Sequence, residues 1–142
     1  MTSTSKPNNN PCPVTFALDV FGDRWTLKIL RDLLLDHQYS YKALLAANPG
    51  IATNVLADRL KRLEMRKLVT KTKDNNDARQ FLYKPTELGI SVMPMLVEMI
   101  VWGTKHGQGK VEKTFLKQFE TGRGKLLRYL QTQSRHQAEL SK

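Results

Sequence analysis

Apolar residues recur along this chain at spacings that change character several times, and the changes mark out its elements. The stretch around which the rest is arranged runs from Tyr39 to Leu68. Ser40 offers a side-chain oxygen to cap a helix, and Tyr41, Leu44 and Leu45 then recur at three-to-four-residue spacing, giving one apolar face. Asn48-Pro49-Gly50 ends that helix: Pro49 lacks the amide a helix needs, and Gly50 can take the positive φ of a sharp corner. A second helix is predicted from Ala52 to Arg66, with Leu56, Leu60 and Leu63 along one stripe and Ile51 and Val55 at its margin. Its other faces carry Thr53, Asn54, Asp58, Arg59, Lys61, Arg62 and Arg66.

Before this pair, residues 1–11 are Ser, Thr, Asn and Pro with a single Lys, a composition that predicts a disordered arm. Val14, Leu18 and Phe21, widened by Phe16, Ala17 and Val20, predict a short helix that is apolar on most sides, ended by Gly22. A further helix is predicted over Trp25 to Asp36, with Leu27, Leu30 and Leu34 on its inner stripe. After the pair, Leu68 to Lys73 and Arg79 to Lys84 alternate in polarity around the turn formers Lys73 to Ala78, predicting a β-hairpin. Thr86-Glu87-Leu88-Gly89 opens a helix whose apolar residues Leu88, Val92, Met95, Leu96, Met99 and Trp102 exceed one stripe; Pro94 either kinks it or lies in its first turns. Gly103, Gly107 and Gly109 then loosen the chain. Val111, Phe115, Leu116 and Phe119 restore helical spacing, Thr121-Gly122-Arg123-Gly124 interrupts it, and Leu126, Leu127 and Leu130 predict one or two more turns before a polar end.

Two short helices with a tight turn, the second basic on its outer face and trailed by a hairpin, predict a fold that is mainly α with a small β-hairpin wing: a winged helix-turn-helix. In such a fold the second helix lies in the major groove, so Ala52, Thr53 and Asn54 at its start are candidates for base edges, and Lys61 and Arg62 for phosphates. Lys73 and Arg79 are the natural contacts of a wing tip. The periodicity alone also fits an ordinary helical hairpin and a surface hairpin whose charges are merely solvated. The over-apolar helix after the wing requires a cover, which predicts a homodimer through its Leu96, Met99 and Trp102 and through Val14 and Phe21 of the first helix.

Charge sharpens this picture. Lys plus Arg total 23 against 13 for Asp plus Glu, a formal net charge of +10 that attracts polyanions, nucleic acid first. Between Ala52 and Lys73 stand seven basic residues and two acidic ones, so the excess concentrates where the reading helix is predicted. The single cysteine, Cys12, with histidines only at 37, 106 and 136, gives neither an internal disulfide nor a four-ligand zinc site, so no metal or cofactor is expected. No catalytic constellation surrounds those histidines and no Gly-rich phosphate loop comes after a strand, which argues against an enzyme. The start has no signal-peptide core, and the apolar run Ile90 to Trp102 is too short for a bilayer; a soluble cytoplasmic protein is expected.

Several strings in order resemble the HxlR-type family of bacterial winged-helix regulators, relatives of the MarR group. They are Cys12-Pro13-Val14, Leu18-Asp19-Val20, Gly22-Asp23-Arg24-Trp25-Thr26, Ile29-Leu30-Arg31-Asp32-Leu33, Pro49-Gly50-Ile51, Val55-Leu56-Ala57-Asp58-Arg59-Leu60, Tyr83, Thr86-Glu87-Leu88-Gly89 and Trp102-Gly103. Three departures stand out: Ser40-Tyr41 replaces the family's Arg-Phe pair, Lys67 replaces a Gly after the reading helix, and Asn75-Asn76-Asp77 replaces the paired prolines of the wing. The resemblance implies a dimeric DNA-binding regulator, usually a repressor, with Ser40 and Tyr41 at the DNA and Cys12 as a sensor of oxidants or electrophiles. It divides the chain into an arm (1–11), the winged domain with its dimer helices (12–106) and a basic helical extension (107–142).

The expected function is therefore a sequence-specific transcriptional regulator on double-stranded, pseudo-palindromic DNA. The alternative is a non-specific architectural DNA- or RNA-binding protein, for which basic charge suffices. The space near Phe16, Trp25 and Trp102 could also hold a small-molecule effector, although those aromatics fit a core equally well.

Overall fold

The computed structural model describes residues 12–141, so the expected arm over residues 1–11 lies outside the described residues. The elements are α1 (Pro13–Phe21), α2 (Thr26–Leu34), α3 (Tyr41–Ala47), α4 (Thr53–Met65), β1 (Val69–Lys73), β2 (Phe81–Pro85), α5 (Glu87–Ile90), α6 (Met93–His106) and α7 (Lys113–Leu140). β1 and β2 pair antiparallel with Val69 opposite Pro85 and Lys73 opposite Phe81. Ser40 adds a single bridge to Leu82, and the Tyr83 amide donates to the Tyr39 carbonyl at 2.8 Å, so the segment before α3 forms a third edge of the wing.

One core joins these elements. Ile29, Leu30, Leu33 and Leu34 of α2 meet Leu44 of α3, Leu56, Leu60 and Leu63 of α4, and Met93, Leu96, Val97 and Val101 of α6. Each leucine buried this fully contributes about 2 kcal/mol, so the apolar stripe of α4 fixes which of its faces points outward.

The turn between α3 and α4 is set by Pro49-Gly50. The Ile51 amide donates to the Asn48 carbonyl at 3.1 Å, and Gly50 takes a φ of 88°, the arrangement of a type II turn. Asn48 anchors this corner from inside. Its Nδ2 donates to Asp32 Oδ2 at 2.7 Å and to the Leu44 carbonyl at 2.8 Å, while Arg31 donates to the other Asp32 oxygen at 2.8 and 3.0 Å. Asp32 and Asn48 are both 1% exposed.

A second anchor lies at Asp23. Its carboxylate accepts from the Trp25 and Thr26 amides at 3.0 and 3.1 Å, capping α2, and from Arg59 Nε of α4 at 2.9 Å. The Thr26 hydroxyl also donates to it. Partial burial works to raise the Asp23 pKa, but the bonds from Thr26, Arg59 and Trp25 outweigh it and hold the carboxyl below its ordinary value of 3.8.

At the far end of α4, Lys67 takes a φ of 62°. The Leu68 and Lys67 amides donate to the Leu63 and Glu64 carbonyls at 2.9 Å each, which is a Schellman closure with a lysine where glycine is usual. Thr86 then joins the wing to α5: its hydroxyl donates to the Lys67 carbonyl at 2.6 Å and accepts from the Gly89 amide at 3.1 Å. A Cβ at Gly89 would stand 2.2 Å from the Leu68 oxygen, so this close approach requires glycine.

The structure corrects the sequence reading in the C-terminal half. The apolar segment after the wing is two helices, α5 and α6, separated at Ser91 and Val92, and Pro94 sits in the first turn of α6, where its missing amide costs nothing. Gly103 does not loosen the chain, because α6 continues to His106. Beyond the break at Gly122 (φ −164°, ψ 64°) helix continues to Leu140, well past the one or two turns expected. The stretch Glu87–His106 is long and apolar enough by length and composition to cross a membrane, longer than the run read from sequence. Here Ile90, Val92, Met93, Leu96, Val97 and Val101 of it are buried in the protein's own core.

Both anchors can be weighed by their loss. Asn48→Ala removes a donor from a buried carboxylate and should lower unfolding free energy by about 2 to 3 kcal/mol in denaturant titration. Asp23→Ala should cost about 1 to 2 kcal/mol at neutral pH. Because the folded pKa of Asp23 is depressed, its contribution is complete above the unfolded value and disappears as pH falls through the folded one. The gap between wild type and Asp23→Ala should therefore narrow below pH 3.8.

Candidate nucleic-acid interface

α4 presents Thr53, Asn54, Ala57, Asp58, Lys61 and Arg62 to solvent, while its leucine stripe is buried. Ala52 is the cap residue rather than part of the first turn, and it supplies no side-chain oxygen to the leading amides. The predicted base-reading residues Thr53 and Asn54 thus stand together and exposed at the leading end of the helix.

The posture of this helix is held at several points. The Tyr41 hydroxyl donates to the Thr53 carbonyl at 2.9 Å, tying α3 to the start of α4. Tyr41, expected from family resemblance at the DNA, is half-buried, and its hydroxyl serves as a positioning bond. Ser40 does what its place before the helix predicts: its hydroxyl accepts from the Ala43 amide at 3.1 Å. Arg59 belongs to the frame rather than to the open face. It is bound to Asp23 and also to Asp58 at 2.5 Å, and its side chain is 19% exposed.

Arg62 and Lys61 remain on the outer surface. Arg62 Nε pairs with Asp58 one turn earlier at 3.0 Å, so that carboxylate is shared between two arginines. A pair this exposed is worth about 0 to 1 kcal/mol and exchanges readily for another anion. The local field is less positive than a count of basic residues suggests.

The wing follows α4 directly and packs against it through β1. Its tip is ordered by Asp74, which accepts from the Asn76 amide at 2.9 Å and from Gln80 Nε2 at 2.8 Å. The Asn76 and Gln80 bonds hold the Asp74 carboxyl below its ordinary range. Lys73 is exposed at the end of β1, and Arg79, 91% exposed, leans on Asp77 at 3.3 Å. Lys71 lies over the Phe81 ring at 4.4 Å, a cation–π contact between the two strands.

A separate apolar surface lies on α1 and α6. None of the residues of α1 is buried, and Val14, Phe16 and Leu18 are all more than half exposed. Met99 and Trp102 of α6 are 51% and 68% exposed. Two expected members of this surface are placed elsewhere: Leu96 is 4% exposed inside the chain's own core, and Phe21 is half-buried against that core. Helical spacing could not separate the two sides of a helix apolar all round. Phe16 lines an apolar groove of about 340 Å³ with Val20, Phe21, Leu88, Val92 and Met95, and Trp25 is covered by Lys28 at 4.6 Å.

Cys12 is exposed at the N-cap of α1. Hydrogen bonds from the Thr15 amide and hydroxyl, then from the Val14 amide, draw its thiol pKa down. Among the described residues no cluster of His, Cys, Asp and Glu could hold a metal ion.

Sequence reasoning missed Asp23, Asp32 and Asn48 as determinants of the interface. Asp23 was legible as a carboxylate just ahead of a helix start, able to accept from its leading amides, but its reach to Arg59 across 36 positions was not.

Comparison with known proteins agrees with this geometry. The HxlR-like helix-turn-helix family model matches residues 20–111. The HTH-type transcriptional regulator YybR of Bacillus subtilis is 30% identical over 97 residues, covering 68% of this chain and 77% of its own. A MarR-family protein of known structure from Porphyromonas gingivalis W83 superposes with a TM-score of 0.62 at 29% identity, covering 72% of this chain and 99% of that one. The redox regulator HypR in its oxidized form gives 0.62 at 25% identity, covering 69% and 100%. With a reading helix, a wing and a matching family model over most of its length, this chain belongs to the HxlR-like helix-turn-helix family of transcriptional regulators.

Proposed function

We propose that the protein is a homodimeric, cytoplasmic repressor that recognises a pseudo-palindromic operator. The observation that carries this reading is the division of α4, whose leucines are buried while Thr53, Asn54, Lys61 and Arg62 are exposed on the other side. Two copies of α4 related by a two-fold axis enter successive major grooves about 34 Å apart. Thr53 and Asn54 meet base edges, an amide being able to pair with adenine in two bonds. Lys61 and Arg62 meet phosphates, and Lys73 and Arg79 carry the wing to the backbone or minor groove. Ser40 stands beside the same backbone, and promoter occupancy excludes transcription.

The dimer forms through the exposed faces of α1 and α6, because Val14, Met99 and Trp102 together leave more apolar surface in water than one small chain covers. Cys12, at the start of α1, couples thiol chemistry to that interface, as the redox regulator among its structural neighbours suggests. An architectural protein with no sequence preference is the second reading, supported by the net charge of +10.

Selection from random duplexes separates the two: a two-fold motif is expected, and a pool without one favours the architectural reading. On the selected site Asn54→Ala should weaken binding by about 1 to 3 kcal/mol while leaving random duplex nearly unaffected. Equal losses on both would remove Asn54 from base reading. In sedimentation, the full chain should run as a dimer and Met99→Asp with Trp102→Asp as a monomer; a wild-type monomer would refute the two-fold arrangement.

A further inference from the structure

The family match ends at residue 111, and α7 lies entirely beyond it. From Arg123 onward α7 is an unbroken helix whose inner side is made of Leu126 and Ser134, both buried, with Leu127, Leu130 and Ala138 partly buried against the core. Its last turns reach the wing. Arg135 forms a two-pronged bond with Glu87, the residue that opens α5 directly after β2, with Nε at 2.8 Å and a terminal nitrogen at 3.1 Å from the two carboxylate oxygens. Beside this contact a cleft of about 520 Å³ separates α7 from the wing, with Thr70, Thr72 and Lys84 on one wall and Ala138 and Glu139 on the other.

We infer that α7 is a brace for the wing and that Arg135 is its positioning residue. Thr86, next to Glu87, is fixed to Lys67 and Gly89, so the base of the hairpin is held where α4 ends. Residues 39 and 40 hold β2 on its outer edge, and what these bonds and Thr86 leave open is the lean of the hairpin on the side of the cleft. The pair is as exposed as Arg62–Asp58, but Arg135 touches Glu87 through both oxygens with a planar fork of donors, which limits orientation as well as distance. The inner face of α7 transmits this hold to α6. In this scheme the C-terminal helix acts on DNA through the wing and not by touching DNA. The inference rests on the DNA-binding reading only for its consequence, since the restraint itself is a property of the free protein.

The test uses the full chain and the variants Arg135→Glu and Arg135→Glu with Glu87→Arg. Hydrogen exchange is measured at the Tyr83 and Thr86 amides, which bond to Tyr39 and Leu68, with the amides of α2 and α4 as internal references. Arg135→Glu should speed exchange of the wing amides by roughly 3- to 10-fold and weaken duplex binding by a similar factor, with α2 and α4 unchanged. The charge-swapped double variant should restore both. Unchanged wing exchange in Arg135→Glu overturns the brace even where duplex affinity falls, because Arg135 would then be a direct phosphate contact. Exchange rising equally throughout the chain also overturns it, since α7 would be holding the core and not the wing. If the wild-type chain binds no duplex, the DNA reading fails, and the exchange comparison still decides the brace.

Discussion

The hydrogen bond between Asn48 and Asp32, closed off from water, is the constraint on which the rest of the molecule depends. A buried carboxylate is tolerated only where donors surround it, and here Arg31 supplies one side and Asn48 the other. Asn48 is also the residue at which α3 ends. The interior therefore dictates where the chain turns, and the type II corner at Pro49-Gly50 dictates the direction in which α4 departs. Tyr41 and Arg59 then hold the start and the middle of α4 to neighbours that are themselves fixed. Three unrelated polar bonds thus orient one helix whose outward face makes none of the core.

This arrangement separates cations that build the protein from cations that are available to a partner. Arg31, Arg59 and Arg135 are bound within the fold, whereas Lys61, Lys73 and Arg79 lie at its exposed edge. Net charge counts both groups alike, but in the DNA-binding reading proposed above only the second group meets the polyanion. Asp58, between Arg59 and Arg62, offsets part of the positive charge on this face while leaving it net positive.

Local rules recover the parts of this structure whose causes are local. The Ser40 cap, the stop at Asn48-Pro49-Gly50, the leucine stripe of α4, the hairpin and the Thr86 cap each depend on residues within a few positions of one another. The losses come where partners are distant or where the pattern saturates. Nothing near Arg59 announces Asp23, and nothing near Tyr41 announces the Thr53 carbonyl, so Arg59 reads as one more residue of the outer face and Tyr41 as a contact to DNA. In α5 and α6 almost every position is apolar, and a pattern with no polar face cannot show where the helix breaks at Ser91 or that Leu96 faces inward. In α7 the glycines at 122 and 124 suggest an ending, yet packing of Leu126 and Ser134 sustains the helix beyond them.

Lys67 carries a consequence of a different kind. A side chain in the left-handed region costs the backbone about 1 to 2 kcal/mol relative to glycine, and that cost is accepted here at the end of the reading helix. The lysine it places there carries its charge beside the negative pole of α4, which that charge favours. Backbone strain and helix-end charge are therefore set against each other at a single position.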